Sequence, residues 1–245
     1  MTHLKLALAA ALLAGAAPHV VVAAEPTPNH GVSGLWMVIV PQQFPKDAPL
    51  TAQGKALVDI DNRMVADGLV VGERSAKCLP VGVPAMMVNE FALNLLEGPG
   101  QVMIVSENNS IPRIIYTDGR GHGRPSSDYG WNGHSVGHWE GDALLVDTTS
   151  FSERYAVYKG VTLAPHRTAA LHMTERLWPE AGGDVLVDDM TLDDPGAFTK
   201  PVNNVVRYRR LKPPQHFMED ACEVQVDSIA ANAAWRAAHG VKPAP

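Results

Sequence analysis

The sequence predicts a mainly β protein: an antiparallel meander closed into a barrel, with a short helical N-terminal region and a C-terminal helix. Three observations carry this. From Pro99 onward, short alternating segments recur between turn residues. Only residues 50–67 and the alanine-rich residues 227–239 switch to a helical period. The breaks between the alternating segments are mostly short, so sequence neighbours become sheet neighbours, and closure removes the edges.

Residues 1–5 carry a positive charge, residues 6–17 are apolar and Val22-Ala23-Ala24 fits a small-residue cleavage site. This reads as a signal peptide, residues 1–24, because the apolar run is too short to span a bilayer comfortably. Export to the periplasm or beyond is the expected localisation. About 220 residues then remain, enough for one domain with its own core. Residues 25–98 read as an N-terminal strand, helix and braced loop packed on a barrel formed by residues 99–226, with residues 227–245 as C-terminal helix and tail.

Gly34-Leu35-Trp36 opens a first strand to Val40. In the helix, Leu50, Leu57, Ile60, Met64 and Val65 make the apolar stripe, Thr51 is the N-cap and Gly68 the stop. CLPVGVP (78–84) holds too much proline and glycine for a regular element, and residues 85–96 are ambiguous. Strands follow at 102–107 and 113–118, split by Asn108-Asn109-Ser110. The hairpin 131–151 has arms 134–139 and 143–151 around Glu140-Gly141-Asp142. Segments 171–178, 184–192, 203–211 and 217–226 complete a lipocalin-like barrel, whose cup is expected to hold a small ligand.

Formal net charge is −6 without a basic block, which argues against nucleic acid and anionic membranes as partners. A small-molecule ligand or substrate is the expected partner, with room for a homo-oligomer. The two cysteines, Cys78 and Cys222, lack CxxC spacing and read as a disulfide in an oxidising compartment. A loop that long is worth about 4–5 kcal/mol in the chain-entropy model, less any native strain.

Parity along the strands sorts the candidate chemistry. Glu175 shares a face with Leu171, Met173 and Leu177, so it is either ion-paired, with Arg207 and Arg209 as candidates, or raised in pKa for acid–base work. His134, Val136 and His138 share a face, but about 13 Å separates the two histidines of HSVGH on a strand, so they form no local chelate. Asp118-Gly119-Arg120-Gly121-His122 lies where a strand ends at a barrel rim. There Tyr116, Asp118, His122 and His134 can converge as a general acid–base set, with Glu175 as a further catalytic candidate. The same residues also fit a turn braced by Asp118 and Arg120. Asp193 or Asp194 reads as a turn cap. Trp36, Trp131, Trp139 and His166 are the candidate pocket lining. A metal assembled from His122, His134, His166 or His172 with Asp118 or Glu140 is demanded by no spacing, and no organic cofactor is expected. Neither a GxSxG elbow nor a phosphate-cradling glycine loop is present.

Six segments together resemble one family: Gly34-Leu35-Trp36, CLPVGVP (78–84), RIIYTDGRGH (113–122), GHSVGHWEGDALLVDT (133–148), LHMTER (171–176) and DDPGAFTKP (193–201). The family comprises secreted bacterial proteins marked by DGR-x-H and SVGxWEGDTLVVDT segments, and the resemblance covers most of the mature chain. This chain departs from it at Gly123, where proline is usual, at Ala85, where a basic residue often stands, and at Arg167, where a small hydroxyl residue is common. The resemblance implies secretion and carries over no reaction.

Three functional readings follow as expectations. One is a secreted barrel enzyme of lyase, isomerase or hydrolase type, using acid–base residues at the mouth on a small hydrophobic or aromatic molecule. Another is a lipocalin-like binding protein. A metal-dependent hydrolase is the third reading.

Overall fold

Nine strands close into one barrel in the computed structural model, which describes residues 29–39, 47–69, 76–124, 130–152, 167–218 and 222–242. The expected signal peptide and His166 lie outside the described residues. The staves are β1 (Gly34–Val38), β2 (Leu93–Gly98), β3 (Gln101–Ser106), β4 (Asn109–Tyr116), β5 (His134–Glu140), β6 (Ala143–Thr149), β7 (His172–Pro179), β8 (Val185–Asp193) and β9 (Val202–Arg210). Helices α1 (Ala52–Ala66), α2 (Ala85–Val88) and α3 (Val226–Ala238) accompany them. Each strand bonds to its sequence neighbour, and β9 closes on β1. The lipocalin-like meander expected from the sequence is therefore present.

Three details differ from expectation. The ambiguous residues 85–96 split at Asn89, whose Oδ1 accepts from the Phe91 amide at 3.1 Å. α2 lies before that turn and β2 after it. β1 and β2 are staves, so the barrel runs from Gly34 to Arg210 rather than over 99–226. Residues 217–226, expected as a strand, are coil over their described part until α3 begins. The ring is already closed by the β9–β1 pairing, which leaves no edge for them to join.

One more difference positions the site. β4 and β5 pair in parallel, Ile115 opposite Ser135 and Tyr116 opposite Val136, where a hairpin was expected. Parallel neighbours cannot be joined by a tight turn. β5 therefore starts beside the last residues of β4 and runs on past them in the same direction, and residues 117–124 leave β4 as a crossover loop.

The barrel is packed, not hollow. Inward positions alternate along each strand, for example Met173, Glu175 and Leu177 on β7 and Leu186, Asp188, Met190 and Leu192 on β8, all buried. Trp36, Arg113, Leu95, Ile104, Ile115, Leu144 and Tyr208 fill the middle. Met86 and Met87 of α2 join the same core, and the Tyr208 hydroxyl donates to the Met87 carbonyl. The open cup expected from the sequence is occupied by these side chains.

α1 starts as expected, with Thr51 Oγ1 accepting from the Gly54 amide at 3.0 Å, and Gly68 follows it at φ +77°. Its buried face is Gly54, Val58, Asp61 and Met64, whereas Val65 of the expected stripe is exposed. Gly54 sets this rotation, because a Cβ there would lie 2.5 Å from the Ala197 carbonyl oxygen. Cys78 and Cys222 form the expected disulfide, their Cα atoms 5.7 Å apart. No helix among the described residues is long and apolar enough to cross a membrane.

Candidate active site

The hairpin β5–β6 turns at Gly141 (φ +60°) and pairs Val136 with Asp147. On the next strand, Thr174 of β7 lies opposite Asp147. His134 and His172 sit two residues along from those partners, so both flank Asp147 diagonally on the outer face. Gly133 lets the chain enter β5 tightly: its φ is +66°, and a Cβ would lie 2.7 Å from the Thr149 carbonyl oxygen. The crossover then lays His122 over the same face.

These four side chains form one hydrogen-bonded chain. His122 Nε2 meets Asp147 Oδ1 at 2.6 Å, and His172 Nε2 meets Asp147 Oδ2 at 2.7 Å. His122 Nδ1 lies 2.9 Å from His134 Nδ1. A carboxylate accepts from both Nε2–H groups, which leaves Nδ1 of a neutral His122 as an acceptor and makes His134 Nδ1–H the donor. The order His134, His122, Asp147, His172 is thus a path along which a proton can move.

His134 is buried, whereas His172 and Asp147 are roughly half exposed. Burial, with smaller contributions from His122 and Arg120, holds the His134 pKa below its ordinary 6.5. The His134 imidazole is neutral at pH 7. The unfolded chain binds the His134 proton more tightly than the folded one, so His134 contributes nothing adverse above pH 6.5 and stability falls as pH drops through the folded pKa. Chemical denaturation from pH 5 to 8 should show this acid loss in the wild type and a smaller loss in His134→Asn.

A cleft of about 430 Å³ opens beside the chain, between the crossover and the sheet, lined by Arg120, Val136, His138, Leu145, Asp147 and Thr174. One wall is braced. Asp118 accepts from Arg120 Nε at 2.9 Å, and the guanidinium carbon sits 3.9 Å from the Tyr116 ring centroid. Hydrogen bonding to Arg120 holds the Asp118 carboxyl below its usual range, and the same contact raises Arg120. Tyr116 lies against the relay, its ring centroid 5.6 Å from that of His134.

The expected catalytic set is therefore divided. Tyr116, His122 and His134 come together, but the carboxylate that orients the imidazoles is Asp147. Asp118 is bound to Arg120 as the braced-turn reading describes. Glu175 lies on the other face of the sheet, inside the barrel, where Arg113 grips both its oxygens, Nη1 at 2.8 Å from Oε1 and Nη2 on Oε2. The ion-paired reading of Glu175 holds with a different partner, because Arg207 and Arg209 have the outward parity on β9 and Arg207 meets Glu180.

The tryptophans do not share a cavity. Trp36 is fully buried, with Nε1 donating to the Val32 carbonyl at 2.8 Å. Trp139 stacks on His30 at 3.7 Å between centroids, and the Trp131 carbonyl accepts from Arg167 at 3.0 Å. Asp194 caps its turn, accepting from the Gly196 amide at 3.2 Å, and also accepts from the Thr168 amide at 2.8 Å. Among the described residues no three His, Cys, Asp or Glu side chains converge as metal ligands, and His122 spends its two nitrogens on different partners. Glu140 faces His138 and Arg176 at 3.5 Å instead.

No family model and no curated protein matches the sequence.

The turn at Gly141 carries the signal that leads to Asp147, since counting outward from it pairs Val136 with Asp147. His172 has no such signal, because residues 150–171 separate β6 from β7 and no tight turn sets their register. Arg113 shares parity with the apolar Ile115, which marks it as inward.

Proposed function

We propose that this protein is an acid–base enzyme of lyase, isomerase or hydrolase type, working on a small organic molecule in the cleft outside the barrel wall. The observation that carries this reading is the unbroken chain from His134 through His122 to Asp147 and His172, with Asp147 lining the cleft. A proton taken from the substrate at the Asp147–His122 contact is shared along the imidazoles, and the carboxylate offsets the charge that forms. His134 is neutral because it is buried, so the pair holds one extra proton and releases it when the product needs one. His172 gives the chain an outlet to solvent.

Val136 and Leu145 supply apolar floor to the cleft, and Thr174, His138 and Arg120 supply polar contacts. This favours a compact substrate with an apolar body and one or two oxygen functions. The filled barrel interior supports the enzyme reading over a carrier that stores its ligand inside. The disulfide fits an oxidising compartment, and with the signal-like residues 1–24 we infer a periplasmic or secreted protein.

The test is a turnover screen over esters, lactones, epoxides and enolisable ketones, repeated with His134→Gln and with His216→Ala as an exposed control. Turnover should fall by about two orders of magnitude or more in the first variant and stay unchanged in the second. Equal turnover of His134→Gln and wild type on every substrate found would remove the relay from the reaction.

A further inference from the structure

The barrel interior contains acceptors that its own donors do not reach. Arg113 directs its guanidinium to Glu175, to Ser135 Oγ at 3.3 Å and to Thr148 Oγ1 at 3.1 Å. Ser135 and Thr148 hydrogen-bond each other at 2.9 Å. Tyr208 gives its hydroxyl to the Met87 carbonyl. Asp188 faces inward from β8 among these groups with no exposed surface. Neither of its carboxylate oxygens has a hydrogen-bond partner among the described residues.

A carboxylate in that position is costly, because burial removes water from both oxygens and nothing replaces it. The charges around it come from each neighbouring strand: Arg113 on β4, Glu175 on β7, Asp189 beside it on β8, with the Tyr208 phenol on β9. Arg113 and Glu175 cancel, so an ionised Asp188 leaves the interior with one uncompensated negative charge. Burial first, and Glu175 second, push its carboxyl well above the usual range despite Arg113. Taking up a proton removes the charge but adds a buried O–H, and one carboxyl oxygen still lacks a donor. With the described residues alone the hydrogen-bond count does not close in either state.

We propose that Asp188 anchors a buried binding site, inside the barrel, for one small partner of a carboxyl group: a water molecule or a monovalent cation of ammonium or potassium size. Both are compact, and both satisfy two oxygens that converge from one side chain. They differ in proton balance. Water leaves the proton on Asp188 and supplies the hydrogen bonds that the carboxyl group lacks. A cation takes the place of that proton, so the protonated acid and the ion become the ion-bound carboxylate and one released proton.

The experiment compares wild type with Asp188→Leu and Asp188→Asn and does not depend on any activity. Thermal midpoints are measured at pH 8 and constant ionic strength in potassium, ammonium, sodium or tetramethylammonium chloride. Internal waters are counted by oxygen-17 relaxation dispersion. The expected result is a guest lost with the carboxyl group. For a cation, potassium or ammonium raises the wild-type midpoint by several degrees over tetramethylammonium, neither variant responds, and calorimetry in two buffers shows one proton released per ion. For water, midpoints ignore the ion, and Asp188→Leu has at least one long-lived internal water fewer than wild type. If Asp188→Leu does not fold, Asp188→Val takes its place in the water count. Equal internal-water counts together with ion-independent midpoints would overturn the site.

Discussion

Replacing Arg113 with alanine should destabilise the protein by about 3–5 kcal/mol, among the largest effects any single substitution here can have. The guanidinium is fully buried and binds both oxygens of Glu175, which is equally buried. Its loss leaves Glu175 buried without its partner and beside Asp188, whose oxygens already lack a hydrogen-bond donor among the described residues. Ser135 Oγ and Thr148 Oγ1 lose their donor at the same time. The pair itself is a different matter, since two charges removed together leave nothing unpaired. The double variant Arg113→Met with Glu175→Leu should therefore recover most of the loss, and denaturant unfolding of the four proteins of this cycle measures it. If Arg113→Ala unfolds within 1 kcal/mol of wild type, the interior network is not what holds the wall together.

Asp147→Asn should lower turnover by about two to four orders of magnitude and leave the fold almost untouched. Asp147 accepts from two imidazoles at once, at 2.6 and 2.7 Å, and its side chain is 41% exposed. An amide has only one oxygen to offer. One of the two histidines then faces an NH₂ group and must turn its lone pair toward it, which reverses the tautomer order back to His134. Exposure keeps the stability cost small, within about 0.5 kcal/mol. The readouts separate the roles: a brace would lose midpoint temperature, a relay loses kcat and changes its pH profile. Full activity in Asp147→Asn with an unchanged profile would show that protons do not travel this way.

Much of the barrel is legible in the sequence because alternation and turn chemistry are local. Gly141 sets the β5–β6 register, Thr51 starts α1, and Asn108-Asn109-Ser110 lies at the junction between β3 and β4. What stayed hidden depends on contacts between distant residues. The parallel step at Ile115 and Ser135 has no local sign, because residues 117–124 read as an ordinary glycine loop. Parity alone cannot say whether a face looks inward when both faces carry chemistry. His134 and Glu175 were both expected at one mouth, yet the sheet stands between them. For the apolar run at 85–96, only the closed ring decides which half becomes a stave.

Two joins run through the wall with little stitching. β4 meets β5 through two residue pairs, and β1 meets its two neighbours, β2 and β9, through only three each, whereas β7 meets β8 through eight. The vessel is therefore two panels, β2–β4 and β5–β9, joined directly at β4–β5 and, on the other side, through the narrow stave β1. Cys78 precedes the second stave and Cys222 follows the ninth, so the disulfide works as a clasp between the halves. Reduction would free two curved panels to drift apart along both joins, and the histidine relay, begun on the loop that leaves the first panel and completed on the second, would come apart with them.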